Sequence, residues 1–260
     1  MTDYSSRTRT WARADRTVVL CYHAVSSTWD VPLAVTASQL AEQLELITRR
    51  GYRTVTFHAA VAAEPSGPTV AITFDDGFAS VLELAFPILS SLGMVATVFV
   101  VTDLVDAGKP LDWPGIEQGG GPDREVRGLS WAQLEQLADA GWEVGSHTRT
   151  HPRLTQLDDE TLADELRGSR AACERALGSP CRSLAYPFGD VDTRVVEAAR
   201  EAGYEAAASL PTGVVGDSAL EWPRIGVYRK DSLRRFRVKV SPTVLRVREA
   251  LAPVERVVRA

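Results

Sequence analysis

The chain has only four histidines, and two of them stand four residues apart in the run Gly145-Ser146-His147-Thr148-Arg149-Thr150-His151-Pro152. An i, i+4 spacing can turn two imidazoles toward one point, as zinc sites require. Pro152 argues against a long helix over this run, and taken alone the pair reads more readily as polar loop histidines. The second group is Asp75-Asp76-Gly77, directly after the apolar stretch Thr69 to Phe74. Two adjacent carboxylates at the end of a buried strand are costly unless something positive compensates them. An acidic turn with glycine at positive φ is the plainer alternative. Together the two groups offer two imidazoles and one carboxylate to a metal, with a second carboxylate left over. Catalytic zinc commonly has three protein ligands and an open position. A free carboxylate beside metal-bound water is placed to act as general base.

The elements that would position these groups alternate between strand and helix. Buried strands are expected at Thr17 to Val25, Arg53 to Phe57, Thr69 to Phe74, Val95 to Val101, Trp142 to Ser146, Ser183 to Tyr186, Tyr204 to Ala208 and Arg224 to Tyr228. Helices are expected at Ala37 to Arg50 behind a Thr36 cap, Phe78 to Leu92, Ser130 to Ala140, Asp158 to Leu177 and Val191 to Ala202. That alternation implies parallel strands with right-handed crossovers. Seven or eight β units in one chain of 260 residues predict an α/β fold: a distorted (β/α) barrel, single domain. Chemistry in such folds sits at the C-terminal ends of strands, where both groups fall.

Composition sets outer limits. Hydrophobic residues make up 45% and charged residues 24%, ordinary for a globular domain, and the longest clean apolar run, Val95 to Val101, is far short of a membrane span. The first sixteen residues read as a polar arm without an apolar h-region. Cys21, Cys173 and Cys181 are odd in number and show no CxxC spacing, so they are expected as buried free thiols, which fits a cytoplasmic protein. Export by another route stays open. From Tyr228 to Ala260 ten Lys and Arg face three Asp and Glu, a net of +7 that leaves −12 on the rest. An acidic body argues against a nucleic-acid surface. The basic tail, with an apolar stripe at positions 244, 247, 251, 254 and 258, packs under the barrel or makes a peripheral contact with an anionic membrane face. Nothing in the sequence sets the oligomeric state.

Thr73-Phe74-Asp75-Asp76-Gly77 resembles the first motif of the polysaccharide deacetylases of the NodB-homology family (carbohydrate esterase family four). His147-Thr148-x-x-His151 resembles their second motif, and Ala185-Tyr186-Pro187-Phe188-Gly189 their third. Order and spacing agree, and the resemblance covers roughly residues 17–228, between the arm at 1–16 and the basic tail at 229–260. It implies a metal-dependent hydrolase that removes N-acetyl groups from a hexosamine-containing glycan. Asp75 would be the catalytic base, and Asp76, His147 and His151 would bind Zn²⁺ or another divalent metal such as Co²⁺. The Phe188 backbone N–H would face the developing oxyanion, and Thr148 would brace the histidine loop. Removal of O-acetyl groups, or opening of a non-sugar amide, needs the same machinery. A non-catalytic glycan-binding module is the reading from outside enzymology.

Two departures stand out. The family's third motif carries an arginine that pairs with the catalytic aspartate, where this chain has Ala185. Arg224, in Pro223-Arg224-Ile225-Gly226-Val227, is the candidate replacement, with a surface ion pair as its alternative. The family's last motif supplies a histidine as general acid near the C-terminus, but no histidine follows His151. His23, ending the first strand in Leu20-Cys21-Tyr22-His23, is the candidate substitute, with a core histidine as its alternative. Some biofilm-polysaccharide deacetylases of this family are circularly permuted in this way, and this chain is similar to them. Trp113, Trp131 and Trp222 are candidates for stacking on sugar rings or for core burial. His58, outside any motif, is expected to be structural.

Overall fold

The computed structural model describes residues 17–63, 66–113, 116, 125–210 and 218–241. The expected arm at 1–16 and the apolar stripe at 244–258 lie outside these. The strands are β1 (Thr17–Tyr22), β2 (Ala24–Val25), β3 (Ala34–Val35), β4 (Arg53–Val55), β5 (Thr69–Phe74), β6 (Thr97–Val100), β7 (Glu143–Ser146), β8 (Ser183–Ala185), β9 (Ala206–Ser209), β10 (Trp222–Pro223) and β11 (Ile225–Gly226). The α-helices are α1 (Ala37–Arg49), α2 (Phe57–Ala62), α3 (Phe86–Ser91), α4 (Trp131–Asp139), α5 (Asp159–Leu177), α6 (Thr193–Glu201) and α7 (Leu233–Lys239). Side-chain caps start several of them. Thr36 and Ser130 form capping boxes with Gln39 and Gln133, and Asp158 accepts from the Thr161 N–H.

The sheet runs in the order β10-β9-β8-β7-β6-β5-β1-β11, and every pair in it is parallel. Its two ends are consecutive in sequence. β10 pairs with β9 and β11 with β1, so the stretch Trp222–Gly226, with Arg224 between the two short strands, brings the ends of the sheet together and nearly closes it into a barrel. The barrel is distorted at β5. β4 pairs with Thr69–Ala71 of β5, whereas β6 pairs with Thr73 and Phe74, so two strands share one edge of β5.

Side chains alternate across each strand. Val18, Leu20 and Tyr22 of β1 join the large core under the helices, while Val19 joins Ala71, Phe99, Ala185, Ala206, Ala208 and Trp222 inside the barrel. That inner cluster is mostly small residues, because a narrow barrel must also hold Phe99 and Trp222. A Cβ on Gly145 would come within 2.6 Å of the Phe99 ring, so Gly145→Ala would overpack the interior at a cost of roughly 1–3 kcal/mol. Phe57, Ala60 and Val61 of α2 join the inner cluster and cover one end of it. The other end, at the C-terminal strand ends, carries Asp75, Asp76 and His147.

Three expectations need correction. Arg53 to Phe57 is not one strand: β4 ends at Val55, and Phe57 opens α2 behind a Thr56 cap. The helix expected from Phe78 to Leu92 begins as a π-helical turn at Val81–Ala85 and becomes α-helical only at Phe86. Trp222 is buried in the barrel interior and cannot stack on a sugar. Within the basic tail, α7 packs Phe236 and Val240 into the main core. No helix among the described residues is long and apolar enough to cross a membrane.

Candidate metal and catalytic centre

Asp76, His147 and His151 converge at the C-terminal ends of β5 and β7. His147 Nε2 and His151 Nε2 lie 3.4 and 3.5 Å from the same Asp76 Oδ1. All three side chains are buried. Bonds of about 2.0 Å from nitrogen and oxygen to a tetrahedral ion make ligand–ligand edges of about 3.3 Å, so the donor spacing fits a divalent cation with a position to spare. His147 Nδ1 is 2.7 Å from the Ala185 carbonyl. A carbonyl only accepts, so Nδ1 carries a proton, and Nε2, which faces Asp76, offers its lone pair to a cation once its own proton has left.

The loop between the histidines is held from several sides. The Thr148 hydroxyl accepts from the His151 N–H at 3.1 Å, and the Thr148 N–H donates to Ser146 Oγ. Glu165, buried on α5, accepts from the Arg149 N–H (2.7 Å), the Thr150 N–H (3.0 Å) and the Thr150 hydroxyl (2.6 Å). Four of the five non-glycine residues with positive φ among the described residues are Asp76, Thr148, His151 and Phe188. Such conformations cost of order 1–3 kcal/mol each and persist only where surroundings impose them. His151 lies between the Trp113 ring, centroid 4.4 Å away, and the Phe188 ring at 4.6 Å. Trp113 is thus buried in the main core behind His151, while Trp131 is partly buried against that core.

Asp75 makes no contact of this kind with the histidines. Arg224 grips it as a fork, Nη1 to Oδ1 at 2.6 Å and Nη2 to Oδ2 at 2.7 Å, and also reaches Thr73 Oγ1 at 3.1 Å. The place left by Ala185 is therefore served from the opposite side of the barrel closure. Cys21 Sγ lies 3.4 Å from Asp75 Oδ2, a contact that composition could not reveal. A ring nitrogen of His23 belongs to the same cluster. The Asp75 N–H donates to the Tyr22 carbonyl, which sets the ends of β1 and β5 level. His58 is elsewhere, paired with Glu205 at 3.0 Å.

Electrostatics divides these groups. Burial alone would push the Asp75 carboxyl up, but the Arg224 guanidinium, helped by His147 and His23, holds it well below the usual range. Asp76 is likewise lowered, against its burial, by the His147 hydrogen bond and by the charges of His23 and His151. His147 is raised, because the pull of Asp75 and Asp76 exceeds the effect of burial. His151 is pushed down to about 3 by burial and by His147, which keeps it neutral and ready to ligate.

At the third motif, Tyr186-Pro187-Phe188-Gly189 turns tightly. The Gly189 N–H donates to the Tyr186 carbonyl and the Asp190 N–H to that of Pro187, bonds that do not use the Phe188 N–H. A Cβ on Gly189, at φ +68°, would lie 2.8 Å from Leu210. Asp190 then accepts from the Thr155 N–H and hydroxyl, tying this turn to the segment after His151.

A family model described as polysaccharide deacetylase matches residues 62–207. The chain belongs to the polysaccharide deacetylase family. The match omits both His23 and Arg224, which this deacetylase brings in from either side of the matched segment. YxkH of Bacillus subtilis (strain 168), named for the same family, is 25% identical over 214 residues, 79% of this chain and 70% of its own length. Chitin deacetylase 2 of Cryptococcus neoformans var. neoformans is 26% identical over 63% of this deacetylase, which spans only 30% of that protein. Among solved structures, IcaB from Ammonifex degensii superposes with a TM-score of 0.68 at 25% identity, covering 89% of this chain and 97% of that one.

Proposed function

We propose that this deacetylase is a metal-dependent hydrolase removing N-acetyl groups from a hexosamine-containing glycan. The observation that carries the reading is the pairing of two adjacent aspartates with different partners: Asp76 in an Asp–His–His cage, Asp75 beside it on an arginine fork. A divalent cation in that cage, Zn²⁺ by donor type, would supply Lewis acidity at the acetyl carbonyl and lower the pKa of an attacking water.

Each residue then has a separate task. Asp75, ionised and oriented by Arg224, accepts the proton of the attacking water. The Phe188 N–H is the backbone donor for the oxygen of the tetrahedral intermediate. His23, on the neighbouring strand end, gives a proton to the departing amine. Trp113 and Phe188 pack against the His151 ring and hold it in place. Residues 17–228 serve as the catalytic domain; the start of the basic segment packs α7 onto its core, and its remaining basic residues are able to meet anionic surfaces.

The test is acetate release by the metal-reconstituted full chain from N-acetylglucosamine oligomers and from O-acetylated glycans. Metal-dependent release from the amides supports the reading. Release only from the esters, or release that survives removal of the metal, overturns it.

A further inference from the structure

Beside the Asp–His–His cage lies a second cluster of ligand-type atoms. The Cys21 thiol, a ring nitrogen of His23 and a carboxylate oxygen of Asp75 are all within 4.8 Å of one another, and all three residues are buried. Cys21 and His23 are two apart at the end of one strand, so both face the interior with Asp75. His23 is only 8% exposed, and its Nδ1 is buried without a hydrogen-bond partner.

We propose that Cys21, His23 and Asp75 form a second cation site, specific for thiophilic divalent ions such as Zn²⁺ and Cd²⁺, whose occupation shuts the enzyme off. The spacing supports it. Bonds of about 2.3 Å to sulfur and 2.0 Å to oxygen make an S···O edge of about 3.5 Å in a tetrahedron, and the Cys21 Sγ to Asp75 Oδ2 separation is 3.4 Å. A thiolate, an imidazole and a carboxylate select zinc-like ions over Mg²⁺ or Ca²⁺. Binding breaks the Cys21 S–H bond, forms a sulfur–metal bond and releases the proton to solvent, with no change of oxidation state. Arg224 remains on Asp75 and opposes a nearby cation, which the new thiolate charge offsets in part. The second site therefore fills after the cage. Its inhibitory effect rests on the reading above, in which Asp75 is the base and His23 the acid.

The full chain is titrated with Cd²⁺ alone while thiolate-to-metal charge transfer is followed in the ultraviolet. The first equivalent enters a cage without sulfur and gives no such band; the second gives one. Cys21→Ser and Cys21→Ala lose the band but keep the first equivalent, which also shows that they fold. The Cys173→Ala, Cys181→Ala double variant keeps the band. The second equivalent should weaken by more than the roughly 10–100-fold that loss of an outer partner costs. No band in the wild type, or a band that survives in Cys21→Ser, overturns the site. In parallel, acetate release is measured at one equivalent of Zn²⁺ and in excess. Excess should cost the wild type roughly 10²-fold, the scale of a lost general base, and leave the ratio near unity in Cys21→Ser. A band without inhibition overturns the shut-off and locates the fault in the roles given to Asp75 and His23, not in the cation site.

Discussion

Arg224 and Asp75 are 149 residues apart in sequence and form a forked, fully buried ion pair. The pair exists because Trp222–Gly226 bridges β9 and β1 and buries Arg224, between β10 and β11, next to the end of β5. Both charges are out of water, so neither is tolerable alone.

Arg224→Met should therefore cost about 3–5 kcal/mol of stability, the scale for breaking a buried pair. In the wild type the lowered Asp75 carboxyl contributes stability at pH above its unfolded pKa of about 3.9, lost as pH falls through the native value. Without the arginine, burial dominates and raises that carboxyl. The acid limb of kcat/KM should then move toward neutral pH, and the variant's stability should no longer depend on Asp75 ionisation in the same sense. Denaturant melts and a pH–rate profile check both. An unmoved acid limb would remove Asp75 from the base role.

The two aspartates should separate cleanly under substitution. Asp75→Asn leaves the cage intact and should keep the metal while losing on the order of 10²–10⁴ in rate. Asp76→Asn removes the oxygen that both histidines face and should lose the metal itself. Metal content by elemental analysis and turnover on the same samples decide it; equal metal loss in both would merge the two roles.

Local patterns carried much of this site, and long-range closure carried the rest. Asp75-Asp76-Gly77 and His147-x3-His151 were legible because each is a short run at the end of a buried strand. The Arg224 fork was legible only as one of two alternatives, because the resemblance called for an arginine and nothing local tells a buried arginine from a surface one. Cys21 reads as a small apolar residue, yet it shares a strand face with His23, and that i, i+2 relation was the available signal for its contact with Asp75. The short helix α2 was hidden because Phe57-His58-Ala59-Ala60-Val61-Ala62 is too short and too apolar to show a helical period beside the strand before it. Glu165 was hidden because one acidic residue on an amphipathic helix carries no mark of pointing inward.

Metal binding should release a proton from His147 in particular. His151 stays neutral down to about 3, whereas His147 holds its proton above the ordinary histidine range. A cation must displace that proton, so affinity falls as pH falls through the raised His147 value. The slope of log Kd against pH in that window should be about −1 per metal. Calorimetry in buffers of different ionisation enthalpy measures the proton directly; release of none would contradict the His147 assignment.

Glu165 holds the Arg149–Thr150 backbone between the two histidines without touching either. Glu165→Ala should weaken the metal roughly 10–100-fold, as loss of an outer partner does. At saturating metal, kcat should recover most of its value. Glu165→Gln retains an acceptor oxygen and should fall between the two. A kcat that stays low at saturating metal would mean that Glu165 does more than position the loop.

His23 directly follows β1, and it clusters with Cys21 and Asp75 rather than with the Asp76 cage, the arrangement expected of an acid that is not a ligand. A general acid matters in proportion to how poorly the group leaves without a proton. An amine leaves badly, while an aryl oxide leaves well unprotonated. His23→Ala should thus cost on the order of 10²–10⁴ on an N-acetyl amide and far less on an aryl acetate. Metal content should be unchanged, since both cage histidines remain. A purely structural histidine would depress both substrates together, so the ratio of the two rates, measured on one preparation, distinguishes the cases.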